Sequence, residues 1–324
     1  MKRQIILLIF LVSIFKLTFS QNPIVKHIYT ADPAAHAFND TLFVYTSHDE
    51  DTATWFNMKD WHVFSTTDMQ NWTDHGLVLS LSDLSWAKRF AWAPDCAHAN
   101  GKYYFYFPVE TAAIGVAVSS RPQGKFKDAL NKPLITRQTP GVVCKGYLID
   151  PTVFIDDDSS AYLLFGMNDL NIVKLNKDMI SFSDTVRQIK GAEAFFEAVW
   201  MHKYKGRYYL SYSCQFDSTG AGKLLYAIAD NPLGPYEYKG VLLDKMNSGT
   251  NHHSIVHYKG GWYLFYHNSD LYYLHHSEEI PVVNWESKSP FRRSVCVDRL
   301  YYNEDGTIKK VIPTKTGGST DRHQ

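Results

Sequence analysis

The sequence predicts an all-β protein, a five-bladed β-propeller, and three observations carry that prediction. A polar turn followed by an aromatic and aliphatic run of strand length recurs five times along the chain. The copies stand roughly 50–60 residues apart, the scale of one propeller blade. Between them lie short strand and turn signals and few credible helices.

Three copies match closely: Gly101-Lys102-Tyr103-Tyr104-Phe105-Tyr106-Phe107, Gly206-Arg207-Tyr208-Tyr209-Leu210-Ser211-Tyr212 and Gly260-Gly261-Trp262-Tyr263-Leu264-Phe265-Tyr266. Two are looser, Asp40-Thr41-Leu42-Phe43-Val44-Tyr45-Thr46 and Ser159-Ser160-Ala161-Tyr162-Leu163-Leu164-Phe165. Residues 61–65 and 114–119 read as intervening strands, and Pro122-Gln123-Gly124 and Asn231-Pro232-Leu233-Gly234-Pro235 as turns. Five four-stranded sheets arranged radially leave only short edges. A β-sandwich does not account for a repeat of this number and length.

The 324-residue chain divides into three parts. Residues 1–20 read as a secretory signal peptide: a basic Met1-Lys2-Arg3 start, an apolar run from Ile5 to Phe15, and Thr18-Phe19-Ser20 before a cleavage point near Gln21. The apolar run is short for a bilayer span. The expected mature protein is therefore secreted or periplasmic, with no membrane attachment after cleavage. Residues 21–313 form the propeller domain, and residues 314–324, basic and hydroxyl-rich, are expected to be a flexible tail. Lys and Arg number 33, as do Asp and Glu, and no long basic run appears, which excludes a nucleic-acid partner. Cys96, Cys144, Cys214 and Cys296 lack zinc-site spacing and receive no role.

The repeat also aligns the residues that precede it. Asp32 lies eleven residues before Phe43, Trp92 twelve before Tyr104, Asp150 twelve before Tyr162, Glu197 twelve before Tyr209 and His252 eleven before Tyr263. If that slot begins the innermost strand of each blade, five distant residues meet at one end of the central channel. Asp before Pro is common at turns, so Asp32 or Asp150 alone would read as structural. The shared slot points instead to a site.

Three carboxylates in one channel suit hydrolysis of a glycosidic bond, which needs a protonated acid for the leaving oxygen and a carboxylate that activates water or attacks carbon. Glu197 sits in the apolar frame Phe195-Phe196-Glu197-Ala198-Val199-Trp200, where desolvation keeps a carboxyl protonated, so it is the expected general acid. Asp32, in the less apolar Ala31-Asp32-Pro33-Ala34, suits an ionised base. Asp150 can raise the pKa of the acid by like-charge repulsion. Trp92 is a candidate wall for a sugar ring, with Phe38 and Trp200 as further candidates. The run Asp156-Asp157-Asp158 reads as a hairpin turn rather than a metal motif.

These segments resemble glycoside hydrolase family 43, a family of inverting enzymes on a five-bladed propeller. The similarity spans nearly the whole mature chain, through Ala31-Asp32-Pro33-Ala34, Ala91-Trp92-Ala93-Pro94-Asp95, Ile149-Asp150-Pro151-Thr152-Val153-Phe154, Phe196-Glu197-Ala198, Asn251-His252-His253-Ser254-Ile255 and Arg292-Arg293-Ser294-Val295. It implies that Asp32 is the general base, Asp150 the pKa modulator and Glu197 the general acid. It implies that Arg293 bonds the terminal sugar and that His252 stands near a calcium ion or water cluster in the channel. Calcium prefers oxygen ligands, so a hydrogen-bonded histidine without metal stays open as the other reading of His252.

The resemblance implies a plant cell-wall polysaccharide or oligosaccharide substrate and an exo-acting α-L-arabinofuranosidase or β-xylosidase. Residues 64–69, Asn71-Trp72 and the late Arg-Ser-Val segment are most similar to arabinofuranosidase-type members. An endo-arabinanase or galactan-active enzyme, a retaining propeller glycosidase and a non-catalytic glycan-binding propeller are the alternatives.

Overall fold

A computed structural model of the protein describes residues 22–215, 222–281, 283 and 285–318. The expected signal peptide and residues 319–324 of the expected tail lie outside this set. Five antiparallel sheets follow one another along the chain. The first holds β1 (Tyr29–Phe38), β2 (Thr41–Asp49), β3 (Asp60–Thr66) and β4 (Thr73–Ser80). The second holds β5 (Asp95–Ala99), β6 (Lys102–Val109), β7 (Ala113–Ser119) and β8 (Lys127–Asp128), with β9 (Ile135–Thr136) also pairing with β7. The third is β10 (Thr152–Ile155), β11 (Ala161–Phe165), β12 (Asn171–Lys174) and β13 (Arg187–Gln188). The fourth is β14 (Phe195–Tyr204), β15 (Arg207–Cys214), β16 (Leu224–Ala229) and β17 (Glu237–Leu243). The fifth has β18 (His253–Tyr258), β19 (Gly261–Asn268) and β20 (Ser294–Leu300), and a short helix α1 (Asp270–His275) lies between the last two strands.

The first strands of the five sheets form a closed ring, β1 against β5, β5 against β10, β10 against β14, β14 against β18 and β18 back against β1. This is a five-bladed β-propeller. The repeated aromatic runs are the second strands of the blades, each entered through a tight turn. At Asn100-Gly101 both residues have positive φ (52° and 70°), the backbone that a two-residue hairpin needs for its twist to match the strands. The same turn recurs at Lys205-Gly206 and Lys259-Gly260.

Each blade buries both faces, so the core is five wedges rather than one centre. Tyr45 and Trp61 meet Phe105 and Phe107 between the first and second blades. Tyr106 and Ile114 pack with Leu163 and Phe165 between the next pair, and Phe154 and Leu164 with Leu210 and Tyr212 after that. Tyr209 and Tyr226 share a cluster with Leu264 and Tyr266, and Leu42 and Val44 close the ring against Phe265 and Val297.

Polar pins join neighbouring blades. Asp95 is buried at 1% exposure and accepts hydrogen bonds from Val153 N (2.6 Å) and Thr152 Oγ1 (3.0 Å) of the third blade, while His36 Nε2 of the first lies 2.5 Å away. Asp156 belongs to the β10–β11 turn and binds Lys203 Nζ (2.7 Å) and the Tyr208 hydroxyl (2.5 Å) of the fourth blade. The chain start runs along β20, with Ile24 N donating to Val295 O (2.9 Å) and Val297 N to Asn22 Oδ1 (2.9 Å). Thr314 is tied to Asp298 through its backbone N (3.1 Å) and hydroxyl (2.5 Å). The four cysteines are free thiols.

Replacing Asp95 with Ala leaves buried donors from two neighbouring strands unsatisfied. We expect Asp95→Ala to lose about 3 kcal/mol or more of stability, read as a lower midpoint of urea unfolding.

Candidate active site

The five aligned residues lie at the leading ends of the innermost strands, and the local backbone explains how they reach the channel. Asp32 stands at φ 53° inside a break in the β1–β2 register between Ala31 and Ala34. Pro33 has no N–H for the ladder, so the pair is extruded and the carboxylate turns inward. Asp150, also followed by Pro, has φ 56° just before β10. Glu197 sits between two register shifts of β14, with Ala198 next to it at φ 60°. Such left-handed residues and bulges are costly and gather where a side chain must be re-aimed.

One pocket of about 110 Å³ is lined by Asp32, Trp92, Asp150, Glu197, His252 and Arg293. Trp55, Phe56, Met58, Tyr147, Ile149 and Met167 give it apolar walls. Phe38 and Trp200 are not brought to it. They line the opposite opening of the channel, beside His36, His98 and Trp262. Phe38 is six residues beyond Asp32 along β1, about 20 Å at the rise of a strand. Trp200 lies past the β14 bulge and donates its indole N–H to Ile255 O (2.9 Å).

The carboxylates differ in their surroundings. Asp32 accepts hydrogen bonds from Arg293 Nη1 (2.9 Å) and Ser47 Oγ (2.5 Å), and its backbone N–H donates to His267 Nδ1 (3.0 Å). Burial alone would raise its pKa, but Arg293, then His252 and His267, then the Ser47 bond outweigh that and hold it below the usual range. Asp150 accepts the Ala198 N–H (2.8 Å) and is pushed up to about 6, by burial first and by the Asp32 charge against the opposing pull of His252. Glu197 is raised well above the ordinary value by burial, then by the charges of Asp150 and Asp32. The pocket therefore holds an ionised carboxylate and a protonated one near neutral pH, the combination that acid–base cleavage of an acetal requires.

Arg293 organises the floor. Its Nε and Nη2 form a two-pronged bond to Asp49 (2.9 and 2.8 Å), Nη1 also reaches Thr250 Oγ1 (2.9 Å), and Phe56 covers its face at 4.9 Å. Its donors are thus largely committed to the protein. Arg292, its neighbour, turns away and lies over the rings of Tyr29 and Tyr272. His252 Nδ1 stands between Asp32 (3.9 Å) and Asp150 (3.8 Å), while His253 points the other way to Ser211 Oγ (2.6 Å), as strand alternation requires. Trp92 donates its indole N–H to Phe56 O (2.7 Å), which leaves the ring to the pocket.

Sequence reasoning passed over Asp49, Ser47, Thr250 and His267. They hold Asp32 and Arg293 in place but lie outside the aligned slot. His267 is pushed down to about 3 by burial, so it stays neutral. Accepting from Asp32 N, it has its proton on Nε2, facing Thr250 O at 2.9 Å.

The profile of glycosyl hydrolases family 43 matches residues 20–308. The chain belongs to glycoside hydrolase family 43. It is 36% identical over 348 residues to a xylosidase/arabinosidase of Humicola insolens, covering 88% of this chain and 98% of that protein. An α-L-arabinofuranosidase structure from Clostridium thermocellum superposes with a TM-score of 0.76 at 42% identity, covering 92% of this chain and 98% of that one. A β-xylosidase/α-arabinofuranosidase from a compost microbial metagenome, in complex with xylotriose in a calcium-free form, gives a TM-score of 0.76 at 38% identity, over 90% and 97% of the two chains. As a family 43 enzyme the protein is an inverting glycoside hydrolase, which sets aside the purely binding propeller and the retaining enzyme.

A calcium ion beside His252 finds few protein ligands. Asp32 and Asp150 already bond Arg293, Ser47 and the Ala198 amide. His252, Asp32 and Asp150 approach one another, but among the described residues no three channel ligand atoms lie within 4.8 Å of one another. Calcium takes six to eight oxygens, so an ion here would be held chiefly by water.

The electrostatics set the sign of two pH effects. Asp150→Asn keeps the carbonyl that accepts from Ala198 but removes a negative charge near Glu197, so Glu197 should lose its proton more easily. The alkaline limb of kcat/KM should move to lower pH. Arg293→Met removes the main group that lowers Asp32, so the acidic limb should move to higher pH. Both are read from pH–rate profiles of the purified variants.

Proposed function

We propose that the protein is an exo-acting pentosidase that removes terminal arabinofuranosyl or xylosyl units from arabinoxylan- or arabinan-type chains outside the cytoplasm. Asp32 is the general base, Glu197 the general acid and Asp150 the modulator. The observation that carries this reading is the separation of the two carboxylates in one pocket. The Arg293 guanidinium holds Asp32 ionised, while burial and two neighbouring negative charges hold the proton on Glu197. Water placed against Asp32 loses its proton as it attacks the anomeric carbon, and Glu197 passes its proton to the departing oxygen. Asp150, bonded to the amide of Ala198, keeps a negative charge close to the acid and hinders its ionisation.

The pentose assignment is supported by two features. The pocket is small and walled by Trp55, Phe56, Trp92 and Tyr147, which favours one terminal ring over a continuous polymer. The relatives named above act as xylosidases or arabinofuranosidases. Export is supported by the N-terminal basic and apolar pattern of residues 1–20.

Asp32→Asn and Glu197→Gln should each lower kcat by about 10²–10⁴-fold with an unchanged circular dichroism spectrum, the range expected for loss of general acid or base catalysis. Nitrophenyl arabinofuranoside and xyloside should release nitrophenol, and arabino- or xylo-oligosaccharides should yield monosaccharide as the first product. Cleavage restricted to the interior of long arabinan would overturn the exo reading.

A further inference from the structure

The first sheet carries a second chemical group on the face turned away from Asp32. In the β2–β3 ladder Thr46 pairs with His62 and Ser47 with Trp61. One antiparallel step further sets Asp60 across from His48. Strand alternation therefore puts His48, Asp60 and His62 on one face and Ser47 and Trp61 on the other. The second face serves the active site, since Ser47 bonds Asp32 and the Trp61 indole N–H donates to Trp92 O (2.6 Å).

On the first face His48 Nδ1 lies 2.9 Å and His62 Nε2 3.4 Å from the same Asp60 oxygen. All three ligand atoms fall within 4.8 Å of one another. Tetrahedral ligands bound at roughly 2.0–2.2 Å stand about 3.3 Å apart, and the observed separations straddle that value. The two imidazoles meet edge to face, 4.9 Å apart at 63°. The side chains keep 15–21% of their surface exposed, so an ion has a way in. Two imidazoles and one carboxylate suit zinc and its borderline neighbours better than calcium or magnesium.

We propose that His48, Asp60 and His62 form a binding site for a divalent transition-metal ion of the zinc type, completed by water. The site joins the end of β2 to the start of β3. Residues 50–59 between them carry Trp55, Phe56 and Met58 to the pocket, and Asp49 at their head holds Arg293. A bound ion would staple the base of this segment without touching the reacting groups.

The test uses the full mature chain without an affinity tag, stripped of metal and titrated with zinc against a chromophoric chelator. One zinc per chain is expected, with thermal unfolding moved to higher temperature. His48→Ala and His62→Ala should each weaken binding by about tenfold or more and abolish the thermal shift, with nitrophenyl glycoside hydrolysis in the absence of metal unchanged. His252→Ala should bind zinc as the parent does. Unchanged affinity and stoichiometry in the His48→Ala/His62→Ala double variant would overturn the proposal, as would failure of the parent to bind. Cobalt(II) titration of the parent gives a check that needs no variant: a visible tetrahedral absorption band is expected, and an octahedral spectrum would count against the site.

Discussion

The ion network of Arg293 with Asp32 and Asp49 is the interaction on which the rest of the structure turns. Arg293 precedes the last strand of the fifth blade, and both carboxylates belong to the first. The contact that closes the ring therefore also sets the charge state of the proposed base. Its members are nearly fully buried, with Arg293 at 2%, Asp49 at 1% and Asp32 at 4% exposure. Removing one partner of such a group strands an uncompensated charge, typically at a cost of about 3–5 kcal/mol. Closure and catalysis are coupled through one guanidinium.

The same network explains why three carboxylates close together do not behave alike. One cation is shared among them, and geometry assigns it to Asp32, which receives a direct bond at 2.9 Å. Asp150 has the Ala198 amide and a more distant His252, and Glu197 feels burial and two negative neighbours with only a weak opposing pull from Arg293. Proton occupancy thus follows which carboxylate receives the direct Arg293 bond and how far the burial of the other two goes uncompensated. Neutral His267 fits this scheme. Through Nδ1 it accepts from the Asp32 amide and so holds the bulge that aims the carboxylate.

The apolar rim is built on a different principle. Trp55, Phe56 and Met58 come from the β2–β3 connection, and Tyr147 and Ile149 from the segment entering the third blade. Phe56 does two things, covering the Arg293 guanidinium and accepting the Trp92 indole N–H through its carbonyl. A dry wall beside the network strengthens every charge interaction inside it, so the rim contributes to the pKa separation as well as to the shape of the sugar site.

The amino-acid sequence by itself determined the blade number, the positions of the repeated strand runs and the slot that gathers Asp32, Trp92, Asp150, Glu197 and His252. These follow from periodicity, because a repeated turn and a two-residue side-chain alternation act locally and leave a visible pattern. Asp-Pro pairs also mark where β1 and the approach to β10 leave the ladder. Only the tertiary structure decided which residues hold the site together. Asp49 and Asp32 are separated from Arg293 by more than two hundred positions, and no local pattern reports a contact made by closing a ring. Phe38 and Trp200 show the reverse case. Their residue type suited a sugar platform, but a strand carries a side chain about 3.3 Å further for each position, and six positions place Phe38 at the other mouth of the channel.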